Sequence, residues 1–186
     1  MAKKKKNTTS LIVTAAIVLL SVLTICTLFM PVFKGVTSSG LLDKSSSSTL
    51  FSGSDIFVAC FNGEVNSDLS TGANYLISLK GSEEVGFLAN VFSWAYLLIV
   101  IANAAVLVVT LLAFLGFRLK KTQLLLGMIT VILSLVAFIF GLILPGKMGG
   151  LDLGIIAKAS VNASWTVYLL LASLVSGCAA VYAAKK

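Results

Sequence analysis

The chain has no histidine, a single arginine, two prolines and three cysteines, and four long stretches of it carry no charge at all. Each shortage excludes something. Without histidine there is no imidazole base, no Cys–His nucleophile and no Cys/His metal cluster. No Cys-x-x-Cys pair is present, so a dithiol redox centre is not expected. One arginine among 14 basic residues argues against nucleic-acid partners, because base and phosphate readout lean on the guanidinium fork. Three cysteines cannot close into a disulfide set. Cys26 and Cys178 differ in expected membrane depth by roughly 15 Å at about 1.5 Å per helical residue, too far to bond.

What is present is apolar length. Hydrophobic residues make up 58% of the 186 and charged ones 11%, against about 25% charged in soluble domains. The uncharged stretches are residues 11–33, 87–117, 122–144 and 160–184. Each reaches the roughly 20 residues that a membrane-spanning helix needs. The expected fold is an all-α membrane protein: a left-handed bundle of four transmembrane helices, with cytoplasmic termini and a small β-containing extracellular loop domain. A basic tail (1–10) precedes the first span (11–33), expected as an uncleaved helix since its apolar run exceeds a signal h-region. The first extracellular loop covers 34–86, the second span 87–117, a cytoplasmic turn 118–121, the third span 122–144, the second extracellular loop 145–162, the fourth span 163–184 and a cytoplasmic end 185–186.

Charge sets the orientation. One side receives Lys3, Lys4, Lys5, Lys6, Arg118, Lys120, Lys121, Lys185 and Lys186 and no acid. The other receives Asp43, Asp55, Glu64, Asp68, Glu83, Glu84 and Asp152 with five lysines. The positive-inside rule places the nine cations in the cytoplasm as topology anchors beside anionic lipid. The lysine-rich, arginine-poor usage points to a bacterial plasma membrane. Trp94, Tyr96 and Trp165 are expected as aromatic anchors at the outer membrane face, and Tyr182 at the inner one.

Small residues recur in alternating steps of three and four, the spacing of a helix-packing seam. They are Ala95, Leu98, Ala102, Ala105, Val109, Leu112 and Gly116 on the second span, and Gly127, Thr130, Ser134, Ala137 and Gly141 on the third. The fourth has Thr166, Leu169, Ser173, Ser176, Ala180 and Ala183, and a second ridge of Ala172, Ser176, Ala180 and Ala184 suited to packing within the bundle or, alternatively, to self-association. Asn103 is the one amide near mid-membrane. It is expected to bond a neighbouring helix, or alternatively to mark a permeation path. Ser21, Thr24 and Thr27 are expected to bond carbonyls one turn earlier.

There is no histidine, and no Asp, Glu, Lys or Arg falls within a span, which weighs against proton pumping, intramembrane proteolysis and voltage sensing. No cofactor or metal is implied; the loop acids have no ligand spacing and read as solvated charge. The first loop begins with serine-rich segments, flexible by composition, around residues 36–40 and 45–48. Residues 55–61 are rich in β-formers, Asn62-Gly63 suggests a tight turn into Glu64-Val65, and residues 75–80 form a second strand candidate. A small antiparallel sheet within 49–80 is therefore expected over the helix ends. Asp55, Phe57, Cys60, Phe61 and Glu64 are its candidate partner surface. Alternatively, residues 56–61 dip into the headgroup region.

This layout resembles tetraspan proteins of the claudin kind in topology: inside termini, a long first outer loop with strands, and a shorter second one. That family's first-loop signature has a tryptophan motif and two cysteines, whereas this loop has Cys60 alone and no tryptophan. The leading functional expectation is a non-enzymatic scaffold or accessory subunit whose partners are the lipid bilayer and a membrane or envelope protein. An oligomeric channel or transporter subunit, self-associating through the fourth span, is the second reading. An immunity protein against a membrane-active toxin is the third. The cysteines read as inert thiols, with a Cys60–Cys60 bridge between subunits as the competing expectation. Inert thiols predict a single monomer band on non-reducing gels for the native chain and for Cys60→Ser; a dimer band abolished by that substitution would establish the bridge.

Overall fold

The computed structural model describes residues 8–39, 44–148, 151–152 and 158–185. Lys3, Lys4, Lys5, Lys6, Asp43 and Lys186 lie outside the described residues. The elements in chain order are α1 (Thr8–Cys26), β1 (Pro31–Ser39), β2 (Lys44–Ser52), α2 (Gly53–Phe61), α3 (Thr71–Lys80), α4 (Gly86–Phe114), α5 (Lys120–Lys147), β3 (Leu151–Asp152), β4 (Lys158–Ala163) and α6 (Trp165–Lys185).

Four helices are long and apolar enough to cross a membrane: α1 with its terminal 3-10 turn, α4, α5 and α6. A helix satisfies its own backbone hydrogen bonds, the condition for a segment with no water beside it. The chain is by this measure a multi-pass membrane protein. The helices form a ring in which α1 and α5 each pack against both α4 and α6. Gly116, at φ 108°, lets the chain leave α4 in a left-handed conformation and turn into α5.

The packing faces follow the alternating step, with one displacement. On α5, Gly127, Thr130, Ser134, Ala137 and Gly141 are all buried, and on α6 so are Thr166, Ser173, Ser176 and Ala180. Leu169 and Ala183 are half-buried. On α4 the buried line is Ala89, Phe92, Tyr96, Ile99, Asn103, Val106 and Thr110. The line expected there is corrected: Ala95 and Ala102 are buried, Ala105, Val109 and Leu112 are half-buried, Leu98 is 44% exposed and Gly116 lies in the turn. The alternating step of three and four drew that line, but α4 also supports the sheet, so its inner face takes large side chains. Small residues matter most between α5 and α6. A Cβ on Gly127 would sit 2.8 Å from the Gly177 carbonyl oxygen, and one on Gly177 2.8 Å from that of Gly127.

At one end the helices carry a cap. Its antiparallel sheet has the order β2-β1-β4-β3, so the connection before α6 supplies β4, which pairs with β1. Register shifts around Phe33 mark a bulge. The bulge lets the consecutive residues Val32 and Phe33 both reach the core, which a regular strand forbids.

The sheet expected within 49–80 is a correction. Only residues 49–52 of it are strand; residues 53–61 and 71–80 are helices. The serine-rich segments expected to be flexible are strand over residues 36–39 and 45–48, held by backbone pairing of β1 with β2 and β4, while Gly40 lies outside the described residues. Asn62-Gly63 forms no hairpin. The first span also ends earlier than expected. Pro31, Val32 and Phe33 belong to β1, and Pro31 takes the first strand position, where a missing N–H is tolerated. Pro145, expected to end the third span, lies inside α5, which continues to Lys147.

Gly177→Ala should destabilise the bundle by about 1–3 kcal/mol, since the new methyl meets backbone that cannot move alone. Gly146→Ala, with nothing within 4 Å of its Cβ, is the control. Denaturant titration in detergent micelles reads the difference; equal stabilities would show that the α5–α6 contact is loose.

Candidate functional site

The cap helices are built from serine caps. Ser52 opens α2: its N–H and its hydroxyl each donate to Asp55 Oδ2 at 2.7 Å, and Asp55 N–H returns a bond to Ser52 Oγ at 3.4 Å. This reciprocal box outweighs the β-propensity of the following residues. Ser70 opens α3, accepting from the Ala73 N–H at 3.1 Å while donating its hydroxyl to Asp55 Oδ1. One carboxylate thus clamps the starts of both helices. Gly72 permits the closeness, since a Cβ there would lie 2.6 Å from Asp55 Oδ2. Burial pushes the Asp55 carboxyl up, but the bonds from the Ser52 N–H and from the Ser70 and Ser52 hydroxyls outweigh it and hold it below its ordinary value. Asp55, expected on the partner surface, is occupied within the cap.

The other residues of that surface separate. Phe57 and Phe61, one turn apart, are exposed, and their rings pack 5.2 Å apart. Phe61 also packs edge-on against Trp94 of α4 at 6.2 Å. Cys60 is half-buried; burial pushes its thiol up, and the nearby Lys80 partly offsets this. Lys80 Nζ donates to the Ala59 carbonyl at the end of α2, at 2.8 Å. Glu64 lies exposed in the segment between the two helices.

A second polar cluster crosses the bundle. Asn103 Nδ2 donates to Ser173 Oγ at 2.6 Å and to the Ile99 carbonyl at 3.0 Å. The Ser134 and Ser173 hydroxyls are 2.8 Å apart, and those of Ser21 and Ser176 are 2.9 Å apart. All five side chains are fully buried, and each of the four helices contributes at least one. Asn103 therefore joins α4 to α6 inside the chain and lines no outer face. Its Oδ1 has no hydrogen-bond partner among the described residues. Ser176 and Ala180, the middle of the ridge suited to self-association, are likewise buried inside the bundle.

Several roles went unforeseen. Tyr96, expected as an interfacial anchor, is fully buried and donates to Thr27 Oγ1 at 2.8 Å. Trp94 and Trp165 remain exposed. Thr24 donates one turn back to the Leu20 carbonyl, whereas Thr27 donates to the Thr24 carbonyl and Ser21 reaches across to α6. The Ser-x-x-Asp pattern at 52–55 was the sequence signal that could have found α2. Arg118, Lys120, Lys121 and Lys185 all lie at the end of the bundle opposite the cap.

Together these features define a multi-pass membrane protein whose capped bundle holds its polar groups in structural bonds. Neither a protein-family model, nor a curated protein, nor a solved structure matches the chain.

Asp55→Ala should cost about 1–2 kcal/mol near neutral pH through the lost caps. The folded carboxyl titrates below its ordinary value of 3.8, so its contribution is complete above that value and lost as pH falls through the depressed one. The gap between native and variant unfolding midpoints should accordingly close in acid. A gap that persists unchanged to about pH 2 would contradict the clamp.

Proposed function

We propose that the protein is a non-enzymatic, four-span protein of a bacterial plasma membrane that acts as a scaffold or accessory subunit, presenting its cap to a membrane or envelope protein. In this reading both termini are cytoplasmic and the cap is extracellular. Support comes from the cations at the turn between α4 and α5 and at the end of α6, under the positive-inside rule. The absence of Asp, Glu, Lys, Arg and His from the uncharged stretches supports a non-catalytic, non-coupled role.

The observation that carries the reading is the outer edge of the sheet. β2 pairs with β1 on one side, and among the described residues no strand pairs with its other side. Ser46, Ser47, Ser48 and Thr49 are exposed along it, and beyond Lys44 at its first position β2 has no charge or proline to blunt the edge. Such an edge offers backbone donors and acceptors to a partner's strand. The partner would thus be recognised through main-chain bonds and small side chains.

Neighbouring strand residues turn their N–H groups to opposite sides. Of Ser47→Pro and Ser48→Pro, one should break the pairing with β1, and the other should remove only an outward donor. The second variant should stay folded and lose co-purification of its partner from native membranes by about tenfold, the equivalent of about 1.4 kcal/mol. If the co-purifying proteins are the same for the native chain and for both folded variants, the edge is not the recognition surface.

A further inference from the structure

The two cap helices differ in a way that partner binding at the sheet edge does not explain. α3 turns Thr71 and Ser78 outward, as a helix facing water does. Beyond its first turn, where Ser54 is exposed and Asp55 caps the helix, α2 is apolar on both sides. Its inner residues Gly53, Ile56 and Ala59 are buried, and its outer residues Phe57 and Phe61 are 47% and 64% exposed. No polar side chain occurs between Ile56 and Phe61. A helix that is hydrophobic all round needs apolar surroundings on every face. The protein covers only one face of α2.

The uncovered face is continuous with the membrane-facing side of α4. Phe61 rests on Trp94, and below Trp94 the same face of α4 continues through the exposed Leu98 and Ile101. From Trp94 to Phe114, at the far end of α4, the helix rises about 30 Å, the thickness of a bilayer's hydrocarbon core. With Phe114 at one hydrocarbon boundary, Trp94 would fall at the other, where amphipathic rings collect. Phe61 is held at the same level by its contact with that ring. On this side Phe29, in the 3-10 turn after α1, and Trp165, at the start of α6, are 82% and 81% exposed.

We infer that α2 is an in-plane interfacial helix, and that lipid at the boundary of the adjacent leaflet covers Phe57 and Phe61. The inference rests on the four long helices crossing the membrane, and not on strand addition at β2. Its consequence is mechanical. The Asp55 clamp couples α2 to α3, and Lys80 ties α3 back to the end of α2. Lipid contact at Phe57 and Phe61 would thereby set the height and tilt of the whole cap on the bilayer.

The test uses the full chain in phosphatidylcholine–phosphatidylglycerol nanodiscs, with Cys26, Cys60 and Cys178 replaced by serine. Single nitroxide labels are placed through Phe57→Cys, Phe61→Cys, Leu98→Cys and Ser78→Cys. Labels at 57 and 61 should collide with oxygen more than with an aqueous nickel chelate, as the label at 98 does, while the label at 78 shows the reverse. Nickel accessibility at 57 and 61 equal to that at 78 would overturn the inference, leaving the face in water. Exclusion of both reagents would also overturn it: spin–spin broadening would then identify a second copy as the cover, and its absence would indicate cover by the chain itself. A second probe guards against label-induced distortion. Phe57→Trp, in a background of Trp94→Phe and Trp165→Phe, should be quenched by brominated lipid and not by iodide; the opposite pattern sinks the proposal.

Discussion

A column of aromatic rings joins the cap to the bundle, and the arrangement of both depends on it. Phe51 of β2 meets Phe33 of β1 at 5.0 Å, Phe33 meets Phe92 of α4 at 5.4 Å, and Phe92 meets Tyr96 at 6.1 Å. All four are fully buried. The Tyr96 hydroxyl, taken out of solvent, must find a partner and finds Thr27 at the end of α1. Gly53 closes the same junction: a Cβ there would lie 2.6 Å from the Leu28 Cα and the Thr27 carbonyl oxygen. A cap of this size buries too little to fold alone. Its core is shared with the adjoining helix ends, while a second, smaller cluster of Ile17, Val106 and Ala180 lies farther along the bundle.

Below that junction a different physics operates. Between helices surrounded by lipid there is little hydrophobic gain, so close approach and hydrogen bonds must hold the bundle. The Gly127–Gly177 contact supplies the first, and the layer of Ser21, Asn103, Ser134, Ser173 and Ser176 the second. A hydrogen-bonded layer within the apolar bundle also fixes register, because sliding any helix by a turn would strand its polar group. The unpaired Asn103 Oδ1 shows that the layer does not satisfy every atom it buries.

The cap thus has two unlike faces. One is a serine-rich sheet edge suited to main-chain recognition, and the other a phenylalanine-bearing helix suited to lipid. The Asp55 carboxylate links both to α3, since it accepts from Ser52 at the end of β2 and from Ser70 at the start of α3. A partner approaching along the membrane would meet the edge at a height governed by the lipid contact.

Four spans with polar seams were legible without coordinates. Apolar length is local, and a segment of about 20 apolar residues in a bilayer has only the helix available to it. The buried line on α5 was legible too, since its small residues stand in regular steps. The cap was not. Residues 55–61 have strand composition yet form a helix, because Ser52 and Asp55 cap it and α4 gives its inner face a surface. Phe33 and Phe57 are alike in sequence; one is buried and the other exposed because β1 lies against Phe92 and α2 turns outward. Such outcomes rest on contacts remote along the chain, as between Tyr96 and Thr27 or between Thr166 and the Pro31 carbonyl. The sequence by itself determined how many times the chain can cross a membrane, because that requires only apolar length. Tertiary structure alone decided which apolar residues became the cap's core and which its surface, because burial is a property of pairs and not of residues.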